Sequence, residues 1–434
     1  MPSPVRTYDR RAVHAWAFYD FASSAYTTLV VTFIYSTYFT KAIAADETTG
    51  TSQWSVAVSL TAIVIALISP FIGAIADRGG YRKRFLLLSS ITCIAATVVL
   101  FFPGQGEVAF ALATFLVANV AFELSYVFYN AFLPDISPPE RVGWVSGYGW
   151  GLGYIGGLLC LVAALVVFVL PGAPLAGLPD GANVRATNLL VAVWYALFSI
   201  PIFLFVRERV VAPERARGGV VRAAARQLVS TFHDIRRYRQ IVRLLLARLV
   251  YNDGLVTIFA FGGIYAQGTF GFSTQDIILF GIVINLAAGL GALGFGRIDD
   301  RLGGKRTILI TLAGLFVAAT IAVVAEGRAA FWAAALLIGL MVGPNQSASR
   351  SLLARFVPAD KETEFFGFFE FSGKATAFLG PAMLGWLTSV FQSQRAGVAT
   401  VLVFFLLGAL LLLRVDEAEG KAMARLEPGA PRIE

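Results

Sequence analysis

The chain has 434 residues, 57% of them hydrophobic and 14% charged, where ordinary soluble domains carry roughly a quarter charged. That much apolar surface excludes a water-soluble globular fold. The net charge of +8 does not point to nucleic acid, because the basic residues are scattered over short loops instead of forming one patch.

Apolar blocks near the ~20 residues needed to cross hydrocarbon recur from end to end. Helices, whose backbone groups bond internally, are the natural way through a bilayer. The first block, 13–40, runs on through Phe39 without a small-residue cleavage site, so it reads as a retained span and not as a signal peptide. Further spans are predicted at 54–76, 84–102, 107–134, 142–170 and 187–206. Beyond a basic linker they resume at 240–266, 275–296, 306–325, 329–357, 362–391 and 396–413. The expected architecture is an all-α membrane protein of twelve transmembrane helices in two six-helix pseudo-repeats, 1–206 and 240–414. A cytoplasmic linker, 207–239, joins them, and a cytoplasmic tail, 415–434, follows. Cys93 and Cys160 stand alone inside spans three and five, with neither disulfide nor metal-ligand spacing, and read as small core residues.

When loops are numbered alternately, with Arg84, Arg306 and Arg355 counted in the loops they border, 27 of the 35 basic residues fall on the side of the termini and four on the other. The positive-inside rule then puts both termini and the linker in the cytoplasm and residues 173–183 outside. In the linker, Val221, Ala224, Leu228, Phe232 and Ile235 recur every three or four residues opposite Arg222, Arg226, Arg236, Arg237 and Arg239. That stripe suits either an amphipathic helix on the anionic inner leaflet or a partly helical, solvated tether.

The turn GAIADRGGYRKR after span two returns as GRIDDRLGGKR after span eight, with Asp77 and Asp300 223 positions apart. Pro134 of NAFLPD and Pro358 of ARFVPAD are 224 apart, so the register survives across several helices. Such an internal repeat is expected of a secondary transporter. The twice-present Gly-x-x-x-Asp-Arg turn resembles the loop signature of the major facilitator superfamily. Longer stretches are similar to its unknown-major-facilitator branch, which is related to the autophagy-linked vacuolar amino-acid effluxers of fungi. They are WAFYDFASSAY in span one, YNAFLPDISPPERVGWVSGYGWGLGYIGG across spans four and five, YNDG in span seven, and SRSLLARFVP followed by EFFGFFEFSGKATAFLGP. The resemblance extends from Ala15 to Pro381. It implies a rocker-type transporter with one central cavity, lipid-facing spans three, six, nine and twelve, and an amino-acid-like substrate. Two features depart from related transporters. Span five has Gly153, Tyr154, Ile155, Gly156 and Gly157 where antiporters carry a Gly-Pro pair, and span four, where proton-linked relatives often carry an arginine, has Glu123 as its only ionisable residue well inside.

An ionised side chain near the bilayer centre costs about 2.5–3.5 kcal/mol on insertion scales, so each needs a partner, an aqueous cavity or a role in transport. Those deep in the predicted spans are Asp20, Glu123, Arg248, Asp253, Arg350, Glu370 and Lys374. They fall on spans one, four, seven, ten and eleven, as a single polar cavity predicts. Glu370 and Lys374, four residues apart with the acid first, are placed to pair along one helical face. They read either as a self-neutralising pair or as contacts for a zwitterion. Aligning VSGYGWGLG with FFGFFEFSG puts Trp150 opposite Glu370 and Tyr154 opposite Lys374, aromatic faces against charges. Asp20 reads as a site or as a structural acceptor for neighbouring helices. Asp253 precedes Gly254, where a glycine loosens a helix and frees carbonyls for an ion or proton. Arg350 reads as fixing an acid or capping carbonyls, and Glu123 as a proton acceptor or a hydrogen-bonded carboxyl. At the rim, Asp77, Arg78, Asp300 and Arg301 are expected to form a cytoplasmic gate, with carboxylates meeting helix N-termini and arginines bridging acids. The glycine run from Gly147 to Gly157 lets helices approach closely.

The expected function is secondary active transport of a small polar or zwitterionic, amino-acid-like metabolite by alternating access, in the sense of efflux, coupled to a proton or sodium ion. The alternative is a non-transporting sensor or scaffold on a transporter fold. An enzyme is not expected, since the chain has no HExxH helix, metal-binding His/Cys cluster or nucleotide-binding glycine loop, and no cofactor is expected. The expected partners are the solute, its coupling ion and the lipid bilayer, without nucleic acid. The expected state is a monomer, integral and multi-pass, in a bacterial inner (plasma) membrane.

Overall fold

The computed structural model describes residues 9–208, 220–233 and 236–425, and every regular element among them is helical. Helix α1 (Arg10–Ala25) starts where the Asp9 side chain accepts the Arg11 N–H, satisfying one of the free donors of a first turn. It passes into π-helical turns at Tyr26–Phe33 and Phe39–Ile43, on either side of the short α2 (Tyr35–Tyr38). There the Thr32, Ser36 and Thr37 hydroxyls bond back to carbonyls four or five residues upstream, a contact that loosens and bends helices. Helix α3 (Glu47–Gly79) is capped by Asp46 and stops at Gly80, whose φ of 61° lies in the left-handed region that glycine adopts without strain.

The chain turns back at once into α4 (Arg82–Val99), then α5 (Val108–Ala131), the short α6 (Leu133–Ile136), α7 (Val142–Ala164) and α8 (Ala182–Phe205). The linker helix is α9 (Val220–His233). Helices α10 (Arg239–Phe270), α11 (Thr274–Leu302), α12 (Gly304–Val324) and α13 (Arg328–Phe356) follow. The next predicted span is two helices, α14 (Glu362–Lys374) and α15 (Leu379–Phe391), and the chain continues through α16 (Gln394–Val398), α17 (Thr400–Leu413) and α18 (Glu417–Arg425).

Nine segments among the described residues are long and apolar enough to cross a bilayer. Predicted spans one, three and eleven fall short for local reasons. Span one dissolves into π-helical turns, α4 opens with Arg82, Lys83 and Arg84, and span eleven is broken between α14 and α15. All three are nonetheless helical where predicted, which is consistent with twelve crossings.

Within the first half α1 packs on α7 and α8, and α4 on α5; within the second, α12 packs on α13 and α10 on α17. Leu88 and Ile91 of α4, Val193 and Leu204 of α8, Val317 of α12 and Leu410 of α17 remain exposed, as lipid-facing side chains do. The halves meet along two seams, α3 against α14 and α7 against α11. Glycine makes both possible. A Cβ on Gly73 would lie 2.4 Å from the Thr363 carbonyl oxygen, one on Gly367 2.6 Å from that of Ser69, and one on Gly147 2.4 Å from that of Ala292. The span-five glycine run serves two faces: Gly147 and Gly151 meet α11, whereas Gly149, Gly153, Gly156 and Gly157 meet the first span.

Both seams are tight at the face where α3 turns into α4 and α11 into α12, which we call the basic face. Toward the opposite face they part: α15 packs on α10, α16 and α17. A cavity of about 350 Å³ separates Leu158 and Leu161 of α7 from Ile282 and Asn285 of α11.

The linker helix differs from the expected membrane-surface stripe. Its buried residues include Ala223, Ala224, Gln227 and Thr231, and it packs on α3, where Gln227 and Thr231 find hydrogen-bond partners at the gate. Ile235 and the side chains of Val221, Arg222 and Phe232 lie outside the described residues.

Candidate functional site

The two repeated turns close the basic face from opposite halves. The Asp77 carboxylate accepts the Thr363 and Glu364 N–H groups, at 3.1 and 2.9 Å, in the first turn of α14. Asp300 accepts those of Gly143 and Trp144, at 2.7 and 2.9 Å, in the first turn of α7. Each half thus supplies the anion for free donors at a helix N-terminus of the other. Arg82 binds Asp77, Asp135 and, across the seam, Glu362, while Arg355 binds Asp299 and Asp300 at 2.7 and 3.0 Å.

The predicted gate carboxylates are therefore in place, and the ion pairs to them among the described residues come from Arg82 and Arg355. Arg78 donates to Gln227 of α9, and Arg301 is exposed. Arg301 follows Asp300 directly on α11 and so leaves the helix about 100° around from it. Gln227 also donates to Glu364, and Lys361 reaches the Thr231 hydroxyl at 2.7 Å, so the linker helix is fastened to the gate.

Just outside the spans a second cap is repeated. Glu208 accepts the Arg82 and Lys83 N–H groups, and Glu417 those of Gly304 and Lys305. Burial raises the Glu208 carboxyl above its ordinary value. For Glu417 burial is outweighed by Lys421 and the Lys305 N–H, which hold it below.

Deeper in, the predicted ionisable residues form two bridges between the halves. Asp20 of α1 accepts from the Tyr126 and Tyr129 hydroxyls at 2.6 and 2.9 Å and pairs with Arg350 of α13 at 3.2 Å. Arg350, fully enclosed, also donates to Ser146 and to the side-chain amide oxygen of Asn130, and its guanidinium lies over the Trp16 and Trp150 rings. The second bridge joins Lys374 of α14 to Glu123 of α5 at 2.6 Å.

The expected Glu370–Lys374 pair is therefore not formed. Lys374 ends α14, and from there its amine reaches a carboxylate across the seam. Glu370 is buried, takes only a 3.4 Å contact from Asn130, and has no Lys or Arg nitrogen within ion-pair distance among the described residues. Arg248 is spent within its own half, on the Phe369 carbonyl at 2.6 Å, the Ser372 hydroxyl and the Phe369 ring. Trp150 and Tyr154 stack obliquely at 5.8 Å, and the Trp150 indole N–H is buried without a partner among the described residues. They flank α11 and Arg350, not Glu370 and Lys374.

Helix α10 does not loosen at Gly254, contrary to expectation. It runs unbroken, because Gly254 makes room for Phe405 of α17. The break lies instead at residues 375–378, immediately after Lys374. Asp253 is buried beside that break, next to Thr376.

Tyr126, Tyr129, Asn130, Ser146, Arg82, Arg355 and Gln227 were not singled out from sequence. Glu123, Tyr126 and Asn130 recur at three and four residues, the spacing of one helical face, so part of this cluster carried a signal.

Residues 42–142 and 140–425 match the family described as "Vacuole effluxer Atg22 like". The chain is 27% identical over 423 residues to the Uncharacterized MFS-type transporter YxiO of Bacillus subtilis (strain 168), covering 96% of this chain and 98% of that protein. It is 24% identical to Autophagy-related protein 22-1 of Penicillium rubens, covering 84% and 76%. Among solved structures, the fold is similar to the human organic anion transporter MFSD10, with a TM-score of 0.74 at 15% identity over 94% of this chain and all of that one. It is also similar to a bacterial homologue of the iron transporter ferroportin in its outward-facing state, with a TM-score of 0.69 at 14% identity over 94% and 99%. Its relatives are transporters and not enzymes, and the chain itself belongs to the Atg22-like vacuole effluxer family, multi-pass membrane proteins with the major facilitator fold.

Proposed function

We propose that the protein moves a small polar or zwitterionic, amino-acid-like solute across a bacterial inner membrane by alternating access, in the direction of efflux, and that an ion gradient drives it. One observation carries the reading: Lys374 and Glu123 bridge the halves beside the break in span eleven, with Glu370 one helical turn away. A zwitterion brings a carboxylate for Lys374 and an ammonium for an acid, so it can replace the bridge and bias the two-state equilibrium between the halves. The free Trp150 N–H and the ring faces of Trp150 and Tyr154 offer further polar and π contacts on the α7 side.

With the basic face cytoplasmic, as the positive-inside rule has it, the shut gate corresponds to an outward-facing state. The effluxer relatives support export, and the lack of an ATP-binding motif in the chain supports gradient coupling.

A thermal-shift screen of amino acids on the purified protein, followed by flux of the best binder in proteoliposomes, tests the proposal, since a ligand of the folded state raises the melting temperature by mass action. Stabilisation and flux lost together in Lys374→Met support it. A protein that binds solutes yet carries none of them across the vesicle wall is a sensor, and the transport reading falls.

A further inference from the structure

The break in span eleven is cradled by one stretch of α10. Arg248 holds the last turn of α14 through the Phe369 carbonyl and Ser372. One turn on, Asn252 donates to the Gly373 carbonyl at 2.9 Å. On the far side of the break, Gly380 is pressed onto α10: a Cβ there would lie 2.0 Å from the Thr257 hydroxyl and 2.7 Å from the Asp253 carbonyl oxygen. Between these supports stands Asp253, 2% exposed.

Among the described residues no countercharge faces Asp253. On its own helix Arg248 is taken by α14. From α13, Arg350 is paired with Asp20, and from α14, Lys374 with Glu123. Glu370 is an acid, α15 and α17 carry no ionisable residue, and Arg395 of α16 is bound to the Val323 and Ala325 carbonyls. Thr376 stands beside Asp253 inside the break, and its hydroxyl donates to the Leu249 carbonyl at 3.3 Å. A hydroxyl has a single hydrogen. If it goes to Leu249, the Thr376 oxygen is left to accept, and only the acid form of Asp253 has a hydrogen to give it.

We propose that Asp253 is the site of the coupling proton, and that its protonation holds the 375–378 break, and with it Lys374, in the position of the closed gate. The proposal rests on the alternating-access reading and adds the identity of the ion. When the Asp253 O–H bond breaks, the proton leaves to water. The carboxylate then claims the Thr376 hydrogen from Leu249 or draws water into the break, and either change moves the segment that positions Lys374. The proton is taken up from water at the outer face while the gate is shut and given to cytoplasmic water once the gate opens, so one proton enters per cycle as the solute leaves. A sodium ion would need several oxygen ligands, whereas a proton needs only the carboxylate and the Thr376 oxygen.

The test is a distance across the outer mouth. Spin labels at Gly177→Cys and Gly327→Cys occupy open space in opposite halves, and the native cysteines are buried. In nanodiscs the ratio of open to closed distances should titrate by up to about tenfold per pH unit, the limit for one proton. Sodium at fixed pH should leave it unchanged. Asp253→Asn, a neutral mimic of the acid, should remove the titration and keep the low-pH distance, while Thr376→Val should move its midpoint. A titration that persists in Asp253→Asn, or a response to sodium in place of pH, overturns the proposal but leaves alternating access standing. A distance that neither pH nor a mixture of amino acids moves overturns both.

Discussion

Lys374 reaches across the molecular seam to Glu123, 2.6 Å away, and not back along its own helix to Glu370. The pair therefore links the halves, so its loss should be felt in conformation as well as in stability.

Glu123→Gln or Lys374→Met leaves one charge without its partner. Breaking a buried pair typically costs about 3–5 kcal/mol. The lower end applies here because the Lys374 side chain is 30% exposed and solvent screens part of the loss. The double variant should recover most of the melting temperature without recovering solute binding. A double variant that binds solute like the wild type would make the bridge structural only.

The gate carboxylates act as helix caps, each worth about 1 kcal/mol. Asp77→Asn with Asp300→Asn keeps one acceptor at each cap but removes the charge, worth about 0.3–1 kcal/mol at each helix N-terminus, so the closed-to-open ratio of the basic face should fall by about three- to thirtyfold. Accessibility of a cysteine placed at the gate measures this shift, and unchanged accessibility in the double variant would remove the latch assignment.

Glycines at the seams and glycines within a half should respond differently to side chains. Gly367→Val, against the Ser69 carbonyl, should open the basic face while the protein still folds. Gly343→Val, whose Cβ would lie 2.0 Å from the Ala288 carbonyl oxygen inside the second half, should lower expression or melting temperature. Similar losses of stability in both would mean that the α3–α14 seam does not separate.

Linker attachment is testable through Gln227, which bridges Arg78 and Glu364. Gln227→Ala leaves a buried carboxylate short of a donor, at a cost of about 1–3 kcal/mol. It should raise opening of the basic face without changing solute affinity in the outward-facing state, as read by titration at fixed gate conformation.

Sidedness follows from labelling. Gly181 is a poor site, since its φ is 68° and the Tyr38 ring is close; Gly177 has open space. Gly177→Cys should react with an impermeant reagent from outside, and Val229→Cys, on the exposed side of α9, only from inside. The reverse pattern would invert the topology.

The sequence by itself determined the class of fold, because crossing a bilayer imposes apolar length and internal backbone bonding whatever the tertiary contacts. It also determined the repeat, since Asp77 and Asp300 keep their spacing, and the membership of the charged set, since each ion in hydrocarbon is costly enough to be rare. Partner choice was decided only in three dimensions. Lys374 has carboxylates four residues back and 251 positions back in the chain, and only the approach of α5 to α14 favours Glu123. The gate pairs were decided in the same way: Asp77 meets Arg82 across a turn and Asp300 meets Arg355 across two helices. The break after Lys374 holds no proline or glycine at 375–378, although Pro381, which cannot donate to the Ala377 carbonyl, marks its far edge, and it is held by contacts from α10 that only the folded bundle assembles.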